Sequence, residues 1–318
     1  MRRVARRGPP PRSPPPRPLT VIDQVREGVL WVLCFSPRTL GSRYAPFIAH
    51  ALPSVLAGLS DEIEPVREVA MRAGQVLVLT HGKLHFDEIL PAIESRLFDD
   101  GWRLRQSSVY LLGDLLYLIG GTKAVGISGG MDEDDAQGNA KVAEAIRKAL
   151  GAERRASILA SLYMIRCDVN MGVRQGALQV WKTIVPNTPR TLREVMPVLT
   201  SQIITALASS SEDMRTIASR ALGDIVRKLG DSVLNDMVPF LQRGLGSGDE
   251  NMREGVCLGL AEMIGCATKE QVEDNIPKLL PAVREALCDE SGEVRRHAAA
   301  AFQKLYRVVG SSTAHLVL

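Results

Sequence analysis

The sequence predicts an all-α protein assembled from tandem pairs of helices. Three observations carry the prediction: an apolar residue followed by arginine recurs at a nearly constant spacing, each recurrence opens an amphipathic stripe, and the composition favours helix over sheet. Of the 318 residues, 45% are hydrophobic but only 4% are aromatic. Sheets depend on aromatic and β-branched side chains, so this balance favours helices.

The N-terminus differs from the rest of the chain. Its first eighteen residues contain six arginines, no acid and seven prolines between Pro9 and Pro18. Prolines prevent the amphipathic helix of an organellar transit peptide, and no apolar run suggests a secretory signal. We therefore predict that residues 1–19 are disordered. Removing the six arginines turns the formal net charge from +3 to −3, so the basic pI does not indicate direct binding to DNA.

The repeat is marked by seven apolar–arginine dipeptides. Their arginines are spaced by 41, 38, 69, 41, 38 and 42 residues, and five of these spacings match the period of about 40 residues that is typical of HEAT repeats. The dipeptides are Val25-Arg26, Val66-Arg67, Leu104-Arg105, Val173-Arg174, Met214-Arg215, Met252-Arg253 and Val294-Arg295.

Each dipeptide predicts the second helix of a pair. Apolar or small residues follow at +4, +7 and +11, as in Val173, Ala177, Val180 and Ile184, which is the stripe of an amphipathic helix. Upstream, an apolar residue followed by proline marks a first helix, and an aspartate in the short turn is expected to cap the second helix. The aspartates are Asp61, Asp99, Asp100, Asp168, Asp213, Asp249 and Asp289.

The spacing of 69 residues indicates an insertion. Residues 121–140 are first glycine-rich and then acidic, with almost no apolar residue to bury, so we predict a flexible surface loop followed by a helical stretch from Lys141 to Leu150. The prediction for residues 20–318 is thus a HEAT-repeat α-solenoid of about six helix pairs, preceded by one orphan helix. We expect the chain to be a segment of a longer array, because neither end shows a polar capping repeat.

Nothing in the sequence predicts catalysis, a cofactor or a metal site. His81 and His85 have the spacing of a metal pair on a helix, but Gly82 lies between them and the H-E-x-x-H motif is absent. The five cysteines are far apart, which favours reduced thiols and a cytosolic or nuclear protein. No apolar run reaches the length of a membrane span, so we expect no association with a membrane.

Several longer strings resemble one family closely. They include Leu97–Arg105 (LFDDGWRLR), Asn187–Glu194 (NTPRTLRE) and Leu222–Gly230 (LGDIVRKLG). These resemble the giant ribosome-associated HEAT proteins that activate the general-control, amino-acid-starvation kinase, and the likeness runs from about Arg26 to Gly310. The resemblance implies a cytosolic, non-enzymatic scaffold from the C-terminal portion of such a protein. It also implies binding to the RWD domain at the N-terminus of the kinase, to the ribosome and to other regulatory proteins.

The residues that we expect to contact partners are Arg103, Arg190 and Arg193. Each lies at or beside a predicted turn, none is the repeated arginine of its own helix pair, and arginine is enriched at interface hot spots. A generic HEAT adaptor, such as a nuclear transport or phosphatase scaffold, is the alternative function. The specific strings above favour translational control.

Overall fold

The computed structural model describes residues 19–121 and 136–310, and within them the side chains of 136–139, 231–236 and 309 are not described. These residues form helices and contain no strand, which confirms the all-α prediction. The α-helices are α1 (Val21–Leu40), α2 (Ile48–Leu59), α3 (Glu64–His81), α4 (Phe86–Glu94), α5 (Trp102–Gly120), α6 (Ala136–Ile165), α7 (Met171–Ile184), α8 (Thr188–Leu207), α9 (Glu212–Leu229), α10 (Asp231–Leu245), α11 (Glu250–Cys266), α12 (Lys269–Leu287) and α13 (Gly292–Val309).

The helices form a two-layer solenoid. Helices α2 to α13 make six consecutive pairs, and α1 precedes them as an orphan joined to α2 by a 3₁₀-helix (Gly41–Phe47). The second helices α1, α3, α5 and α7 pack side by side, and so do α9, α11 and α13. The first helices lie in the other layer, where α6 packs on α8 and α10 on α12. The predicted HEAT-type architecture is confirmed.

The predicted apolar stripes form the core. In α3, α5, α7 and α13, every residue at the dipeptide position and at +4, +7 and +11 is buried. The residues at +4 are Ala70, Ser108, Ala177 and Ala298, whose small side chains allow neighbouring helices to approach closely. The period of the sequence therefore sets which face of each second helix is buried.

Helix α1 departs from this pattern. Its stripe residues Val25, Val29 and Val32 are 60%, 52% and 64% exposed. The opposite face, with Leu30 and Cys34, packs towards α3 instead. The stripe is exposed because no first helix in the described part of the chain pairs with α1.

Helix α6 consists of two segments that meet at Gly151. This residue has φ 73° and ψ 173°, a conformation that strongly favours glycine because it lacks a Cβ atom. The segment before Gly151 contains the predicted helical stretch from Lys141 to Leu150. Since α6 begins at Ala136, residues 136–140 of the predicted loop are helical, whereas residues 122–135 lie outside the described part, as do residues 1–18 of the predicted disordered segment.

The turn aspartates act differently from the predicted helix caps. Only Asp249 is an N-cap, where its side chain accepts a hydrogen bond from the Asn251 amide. Others lie two residues before the N-cap residue and accept a hydrogen bond from its amide. Asp168, for example, accepts one from the Asn170 amide at 2.7 Å. Asp213 lies within the first turn of α9. The prediction of capping was wrong where the aspartate lies two residues before the N-cap, because it closes the turn itself. It was wrong at Asp213 because Ser211 is the N-cap of α9.

Candidate functional surface

The repeated arginines bond the turns of their own helix pairs. Arg67 Nη1 donates to the carbonyl oxygens of Asp61 and Glu62 at 2.7 and 2.8 Å. Arg174 and Arg295 make the same contacts six and five residues upstream. Because the arginine satisfies carbonyls that would otherwise lack a partner, it fixes the angle between the two helices. These arginines have a structural role in the turns.

Arg105 also joins three helix pairs. Its Nε and Nη2 atoms donate to the two carboxylate oxygens of Asp168 at 2.7 and 3.0 Å, and Nη2 lies 3.0 Å from Asp213. Burial alone would lower the pKa of Arg105, but the hydrogen bond and charge of Asp168, followed by those of Asp213, outweigh it and raise the pKa. The guanidinium therefore stays charged in the core.

A similar link connects α11 with the turn before α13. Arg253 Nε and Nη2 bond the two carboxylate oxygens of Asp289 at 2.8 and 3.2 Å. The hydrogen bond from Arg253 holds the pKa of Asp289 below its usual value. Arg215 reaches Glu254 at 3.1 Å in the same way. Ion pairs between adjacent pairs thus stiffen the array.

The predicted contact residues lie on two different edges of the solenoid. Arg103 is exposed in the first turn of α5, and its guanidinium stacks on Trp102 with 4.7 Å to the ring centroid. Arg190 is exposed in the first turn of α8, and Arg193 is exposed in the second turn. Helix α7 runs from one edge to the other, which separates them by about 20 Å at 1.5 Å per residue. The structure therefore brings Arg190 and Arg193 together but not Arg103.

Arg190 belongs to a small charged cluster. Its Nε atom lies 3.1 Å from Glu194, and Glu194 lies 3.5 Å from Arg155. The Arg190 side chain is 80% exposed, so the ion pair is well solvated and contributes little to stability. Charge reversal at Arg190 should consequently leave the fold intact.

A groove between α7 and α9 is a feature that the sequence patterns do not reveal. Helices α7 and α9 barely touch, in contrast to the other neighbouring second helices. An open cavity of about 670 Å³ lies here, and we call it the α7/α9 groove. The residues that line it are Arg166, Cys167, Met171, Arg174, Gln175, Leu178, Arg220, Asp224, Arg227, Glu262 and Cys266. The spacing of Arg220 and Arg227 on one exposed face of α9 is the only local signal for it.

The histidines, the cysteines and the lengths of the helices bear on metal binding, thiol chemistry and membrane insertion. His81 is buried, and its ring centroid lies 6.0 Å from that of His85. No group of three metal-ligating side chains occurs among the described residues. All five cysteines are free thiols, and burial raises the pKa of Cys167 to about 12. No helix in residues 19–121 and 136–310 is long and apolar enough to cross a membrane.

A two-layer array of helix pairs, with arginines that bond each turn, defines an α-solenoid of the HEAT-repeat class. Such proteins present long surfaces to other macromolecules. The family model described as "EF3 N-terminal HEAT repeat" matches residues 135–302, which is more than half of the chain. The chain belongs to this family of HEAT-repeat proteins.

Curated relatives agree with the resemblance seen in the sequence. The chain is 43% identical over 290 residues to "Stalled ribosome sensor GCN1" of Homo sapiens, a match that covers 91% of this chain and 11% of the relative. It is 43% identical over 308 residues to "eIF-2-alpha kinase activator GCN1" of Dictyostelium discoideum, with 95% and 11% covered. The Saccharomyces cerevisiae relative with this same name is 37% identical over 295 residues, with 92% and 11% covered. The chain thus spans about a ninth of these relatives.

Solved structures with a similar arrangement are distant. The karyopherin Kap121p, bound to the extreme C-terminus of the protein phosphatase Cdc14p, aligns over 84% of this chain and 30% of that chain. The identity is 15% and the TM-score 0.41. A designed armadillo repeat protein in complex with a (KR)4 peptide covers 80% and 99%, with 16% identity and a TM-score of 0.31. Neither likeness bears on function.

Proposed function

We propose that this chain is a protein-binding scaffold in translational control, which helps to activate the starvation-responsive kinase of translation initiation factor two α on ribosomes. The observation that carries the proposal is the identity of 37–43% over nine-tenths of the chain to relatives named as a kinase activator and as a sensor of stalled ribosomes. These names favour translational control over a generic nuclear transport or phosphatase adaptor. The proposed partners are the RWD domain of the kinase, the ribosome and further regulatory proteins in the cytosol.

The mode of action proposed is binding without catalysis. The solenoid exposes the edges of its helix pairs, where Arg103, Arg190 and Arg193 project into solvent. Planar guanidinium groups suit bidentate contacts with carboxylates and phosphates. The backbone around these residues is helical and well packed, so a partner would meet a preformed surface rather than a segment that must first order.

The test separates the two edges. One variant carries Arg103→Glu, and a second carries Arg190→Glu with Arg193→Glu. The control is Arg243→Glu with Arg284→Glu, which reverses two exposed charges on α10 and α12. Each protein is assayed for capture of the purified RWD domain of the kinase and for co-sedimentation with ribosomes.

We expect the intact chain to bind at least one of these two partners. Reversal on the edge that contacts the partner should weaken binding about tenfold or more, as for loss of an interface hot spot, while the control changes it little. Undiminished binding by both edge variants would remove these three arginines from the interface. Failure of the intact chain to bind either partner would contradict the proposed function of this segment.

A further inference from the structure

The α7/α9 groove has an excess of positive charge. Its lining includes four arginines and two acids, and both acids already have cationic partners. Asp224 lies 2.9 Å from the Lys228 ammonium, and Glu262 lies 2.9 Å from that of Lys304. Neither lysine lines the groove. The acids consequently neutralise little of the arginine charge, and the groove is electrostatically complementary to an anion.

One groove arginine has buried donor groups without a partner. The Nε and Nη1 atoms of Arg166 are buried and form no hydrogen bond among the described residues. The guanidinium lies 4.8 Å from the ring centroid of Tyr163 and 5.1 Å from that of Trp181. These aromatic rings support the cation by cation–π contact and fix its position. Because these two atoms are buried, Arg166 contributes its positive charge to the groove rather than hydrogen bonds from them.

Two more arginines extend the cationic surface along α9. Arg220 is exposed, and among the described residues its one hydrogen bond is a long one of 3.4 Å to the Asp168 carbonyl oxygen. Arg227 is 64% exposed and lies 3.7 Å from Asp224. In the described part of the chain, no carboxylate lies within ion-pair distance of Arg166 or Arg220. Arg220, which is exposed, can therefore bind a carboxylate in the bidentate geometry that arginine favours.

The opposite wall of the groove offers apolar contacts. Met171 and Leu178 of α7 are 61% and 39% exposed, and they lie two helical turns apart, about 10 Å along the helix. An apolar pair beside a cationic wall suits a peptide that carries both acidic and apolar side chains. RNA fits less well, because the described residues that line the groove include two acids but no lysine and no aromatic ring for base stacking.

We propose that the α7/α9 groove binds an acidic peptide segment of a protein partner. Carboxylates of the segment bond the exposed Arg220 and Arg227 beside the charge of Arg166, and an apolar side chain packs against Met171 and Leu178. The lining of the groove includes none of Arg103, Arg190 and Arg193, so the groove is a contact surface of different residues.

The probe is a short fluorescein-labelled peptide of alternating glutamate and leucine, and binding to the 318-residue chain is measured by fluorescence anisotropy. A matched peptide with glutamine in place of glutamate tests the charge, and labelled oligouridylate tests RNA. The groove variant carries Arg220→Glu and Arg227→Glu. Arg243→Glu with Arg284→Glu makes the same change of net charge on the other helix layer.

We expect the acidic peptide to bind the intact chain and the control alike, to within about twofold. The groove variant and the glutamine peptide should each weaken binding about tenfold or more, as expected for lost charge-assisted hydrogen bonds. Circular dichroism checks that the variants fold. If the charge reversal unfolds the chain, the neutral pair Arg220→Gln and Arg227→Gln is used, and a loss of binding is again expected.

Three results would overturn the proposal. The intact chain could fail to bind the acidic peptide, the groove and control variants could lose affinity equally, or oligouridylate alone could bind in a groove-dependent manner. The last result would assign the groove to RNA. Because the assay contains neither kinase nor ribosome, its failure is distinguishable from failure of the proposed function.

Discussion

Replacing Arg105 tests whether a buried ion pair joins the middle of the solenoid. The Arg105 side chain is 1% exposed and that of Asp168 is 0% exposed. In Arg105→Met the chain keeps a side chain of similar length, but the Asp168 carboxylate loses its bidentate partner in the core. Its remaining hydrogen bond comes from the Asn170 amide at 2.7 Å. Removal of one partner of a buried pair costs about 3–5 kcal/mol.

The matched control is Arg26→Met. Arg26 contacts Asp61 at 3.1 Å in the corresponding place, but its side chain is 45% exposed. Solvent screens this pair, so we expect a cost of about 0.2–1 kcal/mol. The double variant Arg105→Met with Asp168→Asn should cost less than the sum of its two single variants, because it leaves no unpaired carboxylate in the core.

Hydrogen exchange measured by mass spectrometry is the appropriate assay, since a solenoid of this length need not unfold in one step. Protection in α5, α7 and the start of α9 should fall by roughly 10²- to 10⁴-fold, whereas α11 and α13 change little. The reasoning is refuted if Arg105→Met costs no more than Arg26→Met. It is also refuted if protection falls equally along the whole chain.

Four further variants probe packing and charge. Gly255→Ala should destabilise the fold by about 1–3 kcal/mol, because its Cβ would lie 2.1 Å from a backbone oxygen of α8. Gly28→Ala has open space around its Cβ and should instead stabilise the fold by about 0.4–1 kcal/mol. Urea titrations measure both changes. Ala298→Leu should overpack the last helix pair at a cost of about 1–3 kcal/mol, and proteolysis should then begin there; cleavage that starts elsewhere would contradict this. Asp289→Asn should be less stable than the parent at neutral pH. The folded state lowers the pKa of Asp289 below its ordinary value of 3.8, so the charged carboxylate stabilises the fold fully above that value. The difference between parent and variant should therefore disappear as pH falls through the lowered pKa. A difference that is independent of pH would contradict the role of the charge.

The regular features of the fold could be predicted because each depends on residues close in sequence. Val173, Ala177, Val180 and Ile184 lie on one face of any helix that contains them, and all four are buried. An arginine six residues after the start of its turn reaches the turn carbonyls by local geometry alone. A solenoid repeats such local rules, so its period alone predicts the helix pairs.

The surfaces for partners could not be predicted in this way. Arg103 and Arg190 both read as turn arginines, yet they lie on opposite edges. They are separated because Arg103 lies at the start of α5, the second helix of its pair, whereas Arg190 lies at the start of α8, the first helix of its pair. The length of α7 then sets the distance between the two edges. Arg166 directly follows α6 and shows no motif, and only the approach of Tyr163 and Trp181 reveals its constrained guanidinium.

The sequence by itself determined the helices, their pairing and the face that each buries, because helical periodicity and turn chemistry act over a few residues. Only the tertiary structure decided that α7 and α9 diverge and that Arg105 reaches Asp213 across an intervening helix pair. The angle between successive pairs arises from many side-chain contacts between them. Those contacts join residues far apart in sequence, so the gap between α7 and α9 does not follow from the helical period.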